Sequence, residues 1–109
     1  MNRLLLFDLD GTLLRPDKTN SPVNLQALDD CRRAGCGIGI ATARSAGSAQ
    51  AYDCQVQPDV LITSCGGLAQ VQGKTVYQDG FAPGDVQRVF ACIRPICGAE
   101  TELTVATLQ

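Results

Sequence analysis

The chain has 109 residues, 45% of them apolar and 18% charged, with a formal net charge of -2; this suits one modest globular core and not a disordered segment or a large two-domain enzyme. A basic stripe and aromatic residues for base stacking are both lacking, which excludes nucleic acid as a partner. The early apolar run ends at Asp8, too soon for a secretory signal, and no later run approaches the roughly 20 apolar residues that cross a bilayer, so the sequence reads as soluble and cytoplasmic, with no membrane partner.

"RLLLFDL" lacks a helical period and predicts a first strand buried on both faces, as in a parallel sheet covered by helices. After a polar excursion with Pro16 and Asp17 as turn residues comes the clearest helix. Ser21 is its cap, Pro22 takes the first position, Val23, Leu25, Leu28 and Cys31 form an apolar stripe, and Gly35 closes it. "CGIGIAT" predicts a second buried strand, "SAGSAQAYDC" a short second helix after Arg44, and Asp59 to Ser64 a third strand. Strand and helix alternate as in a doubly wound parallel sheet with right-handed crossovers.

From Gly66 the texture changes. Gln72 and Gly73 mark the turn of a hairpin. A helix is expected from near Pro83, with Val86, Val89, Phe90 and Ile93 on one side and Pro95 as its limit. "TELTVATLQ" alternates polar and apolar residues, as does a half-exposed strand. A boundary near Asp79 to Pro83 divides a parallel α/β portion, residues 1–80, from a second unit, 81–109.

Asp8 and Asp10 fall where the first strand ends. As strand residues at i and i+2 they share a side, while Leu9 points into the core. Sites in open parallel sheets lie beyond the carboxyl ends of the strands. Two carboxylates so close repel one another, and a divalent cation with a preference for oxygen ligands would offset this; solvated turn residues are the plainer alternative. Thr42 ends the neighbouring strand, where its hydroxyl can donate to an oxyanion near Asp8 or cap the following helix.

Six cysteines stand at 31, 36, 54, 65, 92 and 97. Without histidine, a secretory signal or a close-set pair, they read as reduced thiols and not as disulfides or zinc ligands. Cys65 is a weak candidate nucleophile, because no histidine exists to activate it. "GCGIG", Gly35 to Gly39, precedes a strand instead of following one and fails as a dinucleotide loop.

"FDLDGTLL" and "IATARS" resemble the first and second motifs of the haloacid dehalogenase-like phosphohydrolases. With "DK", "SPVNLQAL" and "ITSCGGLAQVQGKTVY", the stretch from Leu4 to Tyr77 is similar to the Cof-type branch, which carries a large α/β cap. The resemblance implies the N-terminal part of a doubly wound, Rossmann-like parallel sheet followed by the beginning of a cap. It implies Asp8 as nucleophile, forming an aspartyl phosphate, and Asp10 as general acid and base. Leu9, Thr42, Ala43 and Arg44 would bind the phosphate, and Mg2+ would be held at Asp8 and at the Asp10 carbonyl. The substrate would be a small phosphorylated metabolite. Ala43 stands where glycine is frequent in this branch, and Cys65 where asparagine is common.

The family also uses a lysine and a late acidic motif that follow the cap. Neither Lys74 nor Asp79 lies in the right segment for these roles. The resemblance places further strands beside the first one, so "LLLFDL" is expected as an exposed apolar edge that pairs with a second copy, as a homodimer, or with a separately encoded C-terminal half. The alternative to a phosphatase is thus a catalytically inactive, truncated remnant or pairing module. A phosphoacceptor signalling domain would need an aspartate ending the third strand, where "LITSC" has none.

Overall fold

The computed structural model describes residues 3–106 and 108. The chain runs β1 (Arg3–Phe7), α1 (Pro22–Arg33), β2 (Cys36–Ala41), α2 (Ala46–Val56), β3 (Val60–Thr63), β4 (Leu68–Val71), β5 (Lys74–Gln78) and α3 (Asp85–Cys97). A wide π-type turn over Leu9–Leu13 follows β1, and a single 3-10 turn over Ser64–Gly66 follows β3. The strands form one sheet in the order β1-β2-β3-β4-β5. The pairings β1–β2 and β2–β3 are parallel, and β3–β4 and β4–β5 are antiparallel. The expected α/β architecture with a parallel portion is therefore present.

Local chemistry explains the elements. The Ser21 side chain accepts from the Asn24 amide at 3.0 Å, with Pro22 beginning α1, where a missing N–H costs nothing. Gly35 closes this helix at a positive φ of 90°. The β4–β5 turn is Gln72-Gly73, both residues left-handed at φ 52° and 76°, as a tight hairpin turn requires.

The core lies on one face of the parallel strands. Ile38 and Ile40 alternate onto that face and are fully buried, and Leu61 of β3 lies beside them. Leu28 of α1 and Ala49 and Val56 of α2 cover them, with Leu5 and Phe7 of β1 packed alongside. Arg32 of α1 donates to the carbonyls of Val56 and Gln57, joining the two helices at the end of α2.

Three expectations require correction. β1 is not buried on both faces. Leu5 and Phe7 pack on the core, but Leu4 and Leu6 of the opposite face are 42% and 50% exposed, because among the described residues β1 is an edge strand with nothing layered over that face. Pro95 does not end the last helix, which runs on to Cys97. Proline removes one N–H near the helix end, and the carbonyl it orphans, on Ala91, is on an exposed residue that water can satisfy. Residues 101–106 form no strand, since no neighbouring strand offers them a ladder; they pass beside α3, and Leu108 lies against Gly67 and Gly80. The remainder of that expected strand, residues 107 and 109, lies outside the described residues.

Two substitutions test this packing. Ile40→Ala should lower unfolding stability by about 2–5 kcal/mol through lost burial and a cavity. Thr63 is fully buried and its hydroxyl has no partner among the described residues. Thr63→Val should therefore stabilise by about 1 kcal/mol, since it removes an unpaired buried polar group without changing shape. Urea denaturation checks both, and a destabilised Thr63→Val would show that the hydroxyl has a partner after all.

Candidate active site

The parallel register sets the site. Phe7 is opposite Ile40, so the residues just beyond, Asp8 on one strand and Ala41 and Thr42 on the other, leave the sheet side by side at the carboxyl ends. Asp8, Thr42, Ala43, Cys65 and Gly66 line one open cavity of about 400 Å³. A larger, mostly apolar cavity of about 680 Å³ lies between Phe81, Val86 and Leu108. It has no acidic pair or cation among its lining residues, whereas the smaller one brings Asp8 together with Thr42.

Asp8 is extended at φ -75°, ψ 155°, and its Oδ1 accepts the Leu9 amide at 2.8 Å. The other carboxylate oxygen has no protein partner among the described residues. Leu9 turns its side chain into the core, fully buried, so only its main chain is at the site, and its amide is already engaged by Asp8. Thr42 is buried; its Oγ1 accepts the Arg44 amide at 3.1 Å, which leaves the hydroxyl proton free to donate. Thr42 does not cap α2. Ser45 does so, accepting the Ser48 amide at 3.2 Å, because Thr42 lies four residues before the first helical one. Ala43 is exposed on the cavity rim.

Asp10 is turned elsewhere. The chain leaves extended geometry after Asp8, and Gly11 takes a φ of 78°, a left-handed conformation that costs glycine little. The strand rule that put Asp8 and Asp10 on one side therefore stops applying. Asp10 does not line the cavity with Asp8. Its Oδ2 accepts from Arg44 Nε at 2.7 Å, and its Oδ1 from Arg44 Nη2 at 2.8 Å, a bidentate pair. Lys18 Nζ sits 3.0 Å from the same Oδ1. The Arg44 hydrogen bonds, with Lys18 adding to them, hold the Asp10 carboxyl far below the ordinary aspartate range. Asp10 in turn raises Arg44. Asp17, in the loop that carries Lys18, is lowered by the Thr19 hydroxyl, 2.6 Å away.

The third wall is strained. Ser64, Cys65 and Gly66 follow one another at φ 54°, 54° and 95°, all left-handed. A non-glycine residue in that region costs of order 1–3 kcal/mol and persists where surrounding structure demands it, often at sites. The Cys65 amide donates to the Thr42 carbonyl at 3.3 Å and the Ser64 amide to the Arg44 carbonyl at 2.8 Å, which binds this turn to the end of β2. Asparagine adopts the left-handed region more readily than cysteine, a backbone reason for the asparagine common at this position in the Cof-type branch. All six cysteines are free thiols.

Among the described residues no cluster of three or more His, Cys, Asp or Glu could hold a metal. The site does offer hard oxygens of the kind magnesium prefers, the uncommitted Asp8 oxygen and the main-chain carbonyl of Asp10. The Asp10 carboxylate itself is occupied by two cations. No helix among the described residues is long and apolar enough to cross a membrane.

Sequence reasoning overlooked Lys18, Ser48 and Tyr52. Arg44, Ser48 and Tyr52 stand four residues apart, a spacing that puts them on one line of a helix, and this was the available signal. Lys18 was marked only by the "DK" of the motif resemblance, which does not reveal its partner, because the loop meets Asp10 only in three dimensions.

Comparison with known proteins agrees with this fold. The family model of the haloacid dehalogenase-like hydrolases matches residues 5–97, and the chain belongs to that family. A phosphatase of the haloalkanoate dehalogenase superfamily from Bacteroides thetaiotaomicron superposes with a TM-score of 0.74 at 27% identity, over 86% of this chain and 35% of that one. A hypothetical protein from Geobacillus kaustophilus gives 0.76 at 22% identity, over 84% and 36%. A sugar phosphatase of subclass IIB in the same superfamily gives 0.65 at 24% identity, over 84% and 36%. The chain thus spans about a third of the length of these structures.

The ionic cradle around Asp10 can be measured directly. Because its folded pKa is depressed, the pairing stabilises the chain above the ordinary aspartate pKa of 3.8 and is lost as pH falls below that value. The Asp10 carboxyl carbon in NMR should still report an ionised group at pH 3.8, where an ordinary aspartate is half protonated. Arg44→Ala should raise the midpoint toward 3.8; a wild-type midpoint already there would contradict the bidentate pair.

Proposed function

We propose that this chain carries the nucleophile and phosphate-binding portion of a magnesium-dependent phosphohydrolase acting on a small phosphorylated metabolite. The observation that carries the reading is Asp8, at the carboxyl end of β1, with one uncommitted oxygen in a cavity shared with the Thr42 hydroxyl. Family membership and the superposition on a phosphatase at 27% identity support it.

In this reading an Asp8 oxygen attacks phosphorus, an Asp8–phosphorus bond forms, and the bond to the leaving oxygen breaks. Asp10 gives the leaving oxygen a proton, then takes one from the water that hydrolyses the aspartyl phosphate. The anionic Asp10 held by Arg44 and Lys18 is the form required for that second half. For the first half Asp10 must be released by the two cations and take up a proton from solvent before it can give one, and an incoming phosphoryl group, with more negative charge, competes with Asp10 for Arg44. Thr42 donates its hydroxyl to a phosphate oxygen, and the Ala43 and Arg44 main chain follows the same rim. Bound magnesium, held by the Asp8 carboxylate and the Asp10 carbonyl, would supply neutralising charge for the phosphoryl group.

The test is release of inorganic phosphate from an aryl phosphate by the purified chain with magnesium. Release should fall by at least about 10³-fold in Asp8→Asn, as expected when a covalent nucleophile is lost, and about 10²-fold in Asp10→Asn, within the range for general acid–base catalysis. Release equal to that of Asp8→Asn would refute the reading for this chain.

A further inference from the structure

The two cations that hold Asp10 converge on one aromatic residue. Tyr52 of α2 donates its hydroxyl to the Lys18 main-chain carbonyl at 2.8 Å. Its ring lies beneath the Arg44 guanidinium, 5.1 Å from centroid to carbon, within the range of a cation–π contact. Arg44 also donates from Nη1 to Ser48 Oγ at 3.2 Å, one turn before Tyr52. A closed ring results, passing from Tyr52 to Lys18, from Lys18 to Asp10, from Asp10 to Arg44 and back to Tyr52.

Each side of the ring resists movement. Lys18 is at a φ of 66°, uncommon for a residue with a side chain, and the loop is held in that shape by its own amide on the Arg15 carbonyl at 2.8 Å and by the Arg15 amide on the Thr19 carbonyl at 2.9 Å. The loop is closed at its base by the bridge between Leu14 and Asn20. Tyr52 is half-buried and packs against the core, so it is the fixed member. Without it, the exposed loop and the long Arg44 side chain would each have many conformations, and a bidentate fork is sensitive to such freedom.

We infer that Tyr52 is the positioning residue of this site, setting the Lys18 loop with its hydroxyl and the Arg44 guanidinium with its ring, so that both cations meet the Asp10 carboxylate in one geometry. Asp10 matters here through the phosphatase reading proposed above, but the ring itself is a property of the fold. Tyr52 touches no reacting atom; it acts through Arg44 and Lys18.

Two variants of the full chain separate its two contacts. Tyr52→Phe removes only the hydroxyl, and Tyr52→Leu removes the ring as well while keeping an apolar group against the core. In Tyr52→Phe, amide hydrogen exchange at Lys18 and Thr19 should quicken by roughly three- to tenfold, the factor one net hydrogen bond supplies, with Ile38 and Ile40 unchanged. The Arg44 Nε–H resonance should persist in Tyr52→Phe and broaden or vanish in Tyr52→Leu. Phosphate release should then show a lower kcat with little change in KM, more so for Leu than for Phe. Unchanged exchange at Lys18 in Tyr52→Phe, or an unchanged Arg44 Nε–H signal in Tyr52→Leu, would overturn the assignment. A chain that gives the expected exchange and Arg44 signals but no phosphate release would uphold the positioning role and refute the phosphatase reading alone.

Discussion

The parallel pairing of β1 with β2, with Phe7 opposite Ile40, is the constraint on which the site depends. It brings Asp8 and Thr42, 34 positions apart in the numbering, out of the sheet together without any contact between their side chains having to stabilise the arrangement. The register is held by burial. Ile38 and Ile40 face α1 and α2, and a slip of one residue would turn both away from the core and bring glycines 37 and 39 inward. The placement of the candidate site residues and hydrophobic packing are thus set by the same ladder.

The second constraint is the sharp change of direction after Asp8. Leu9 anchors the turn by burying its side chain, and Gly11 supplies the left-handed residue that completes it. The two carboxylates, only one residue apart, therefore enter different surroundings. Asp8 faces an open cavity with an uncommitted oxygen; Asp10 faces two cations that neutralise it. The repulsion expected between adjacent carboxylates is relieved within the chain, by Arg44 and Lys18, before any metal is considered. The outcome follows the usual logic of paired acids, in which differing environments give chemically similar groups different roles.

Around these residues the fold is not uniformly optimised. The left-handed run Ser64-Cys65-Gly66 and the hydroxyls of Thr63 and Ser64, which have no partner among the described residues, all lie at the end of β3 beside the cavity. Strain and unsatisfied polarity of this kind are common where a site and not a core is being built, although they are not confined to this strand end, since the buried Asn20 side chain also lacks partners among the described residues. The rest of the parallel portion, from the Ser21 cap to the Ile38–Ile40 core, follows ordinary rules of capping and burial.

Most of that parallel portion was legible in the sequence because its signals are local. A cap, an N-terminal proline and a 3.6-residue stripe specify α1, continuous apolar runs specify β2 and β3, and Gln72-Gly73 specifies a hairpin. Asp8 and Thr42 were recognisable from their places at strand ends and from motif resemblance. The uncovered face of β1, the continuation of α3 through Pro95 and the lack of a strand at 101–106 were not, since each depends on which neighbours are present to bury or pair a residue. The ring through Asp10, Arg44, Tyr52 and Lys18 was also beyond sequence reasoning. Its bonded partners stand up to 34 residues apart, and side chains that distant meet only after the sheet has set the spacing between the β1 turn, the loop and α2. Sequence alone determined which groups would stand at the strand ends; tertiary structure decided which of the two aspartates would be left free, because charge pairing acts through space and not along the chain.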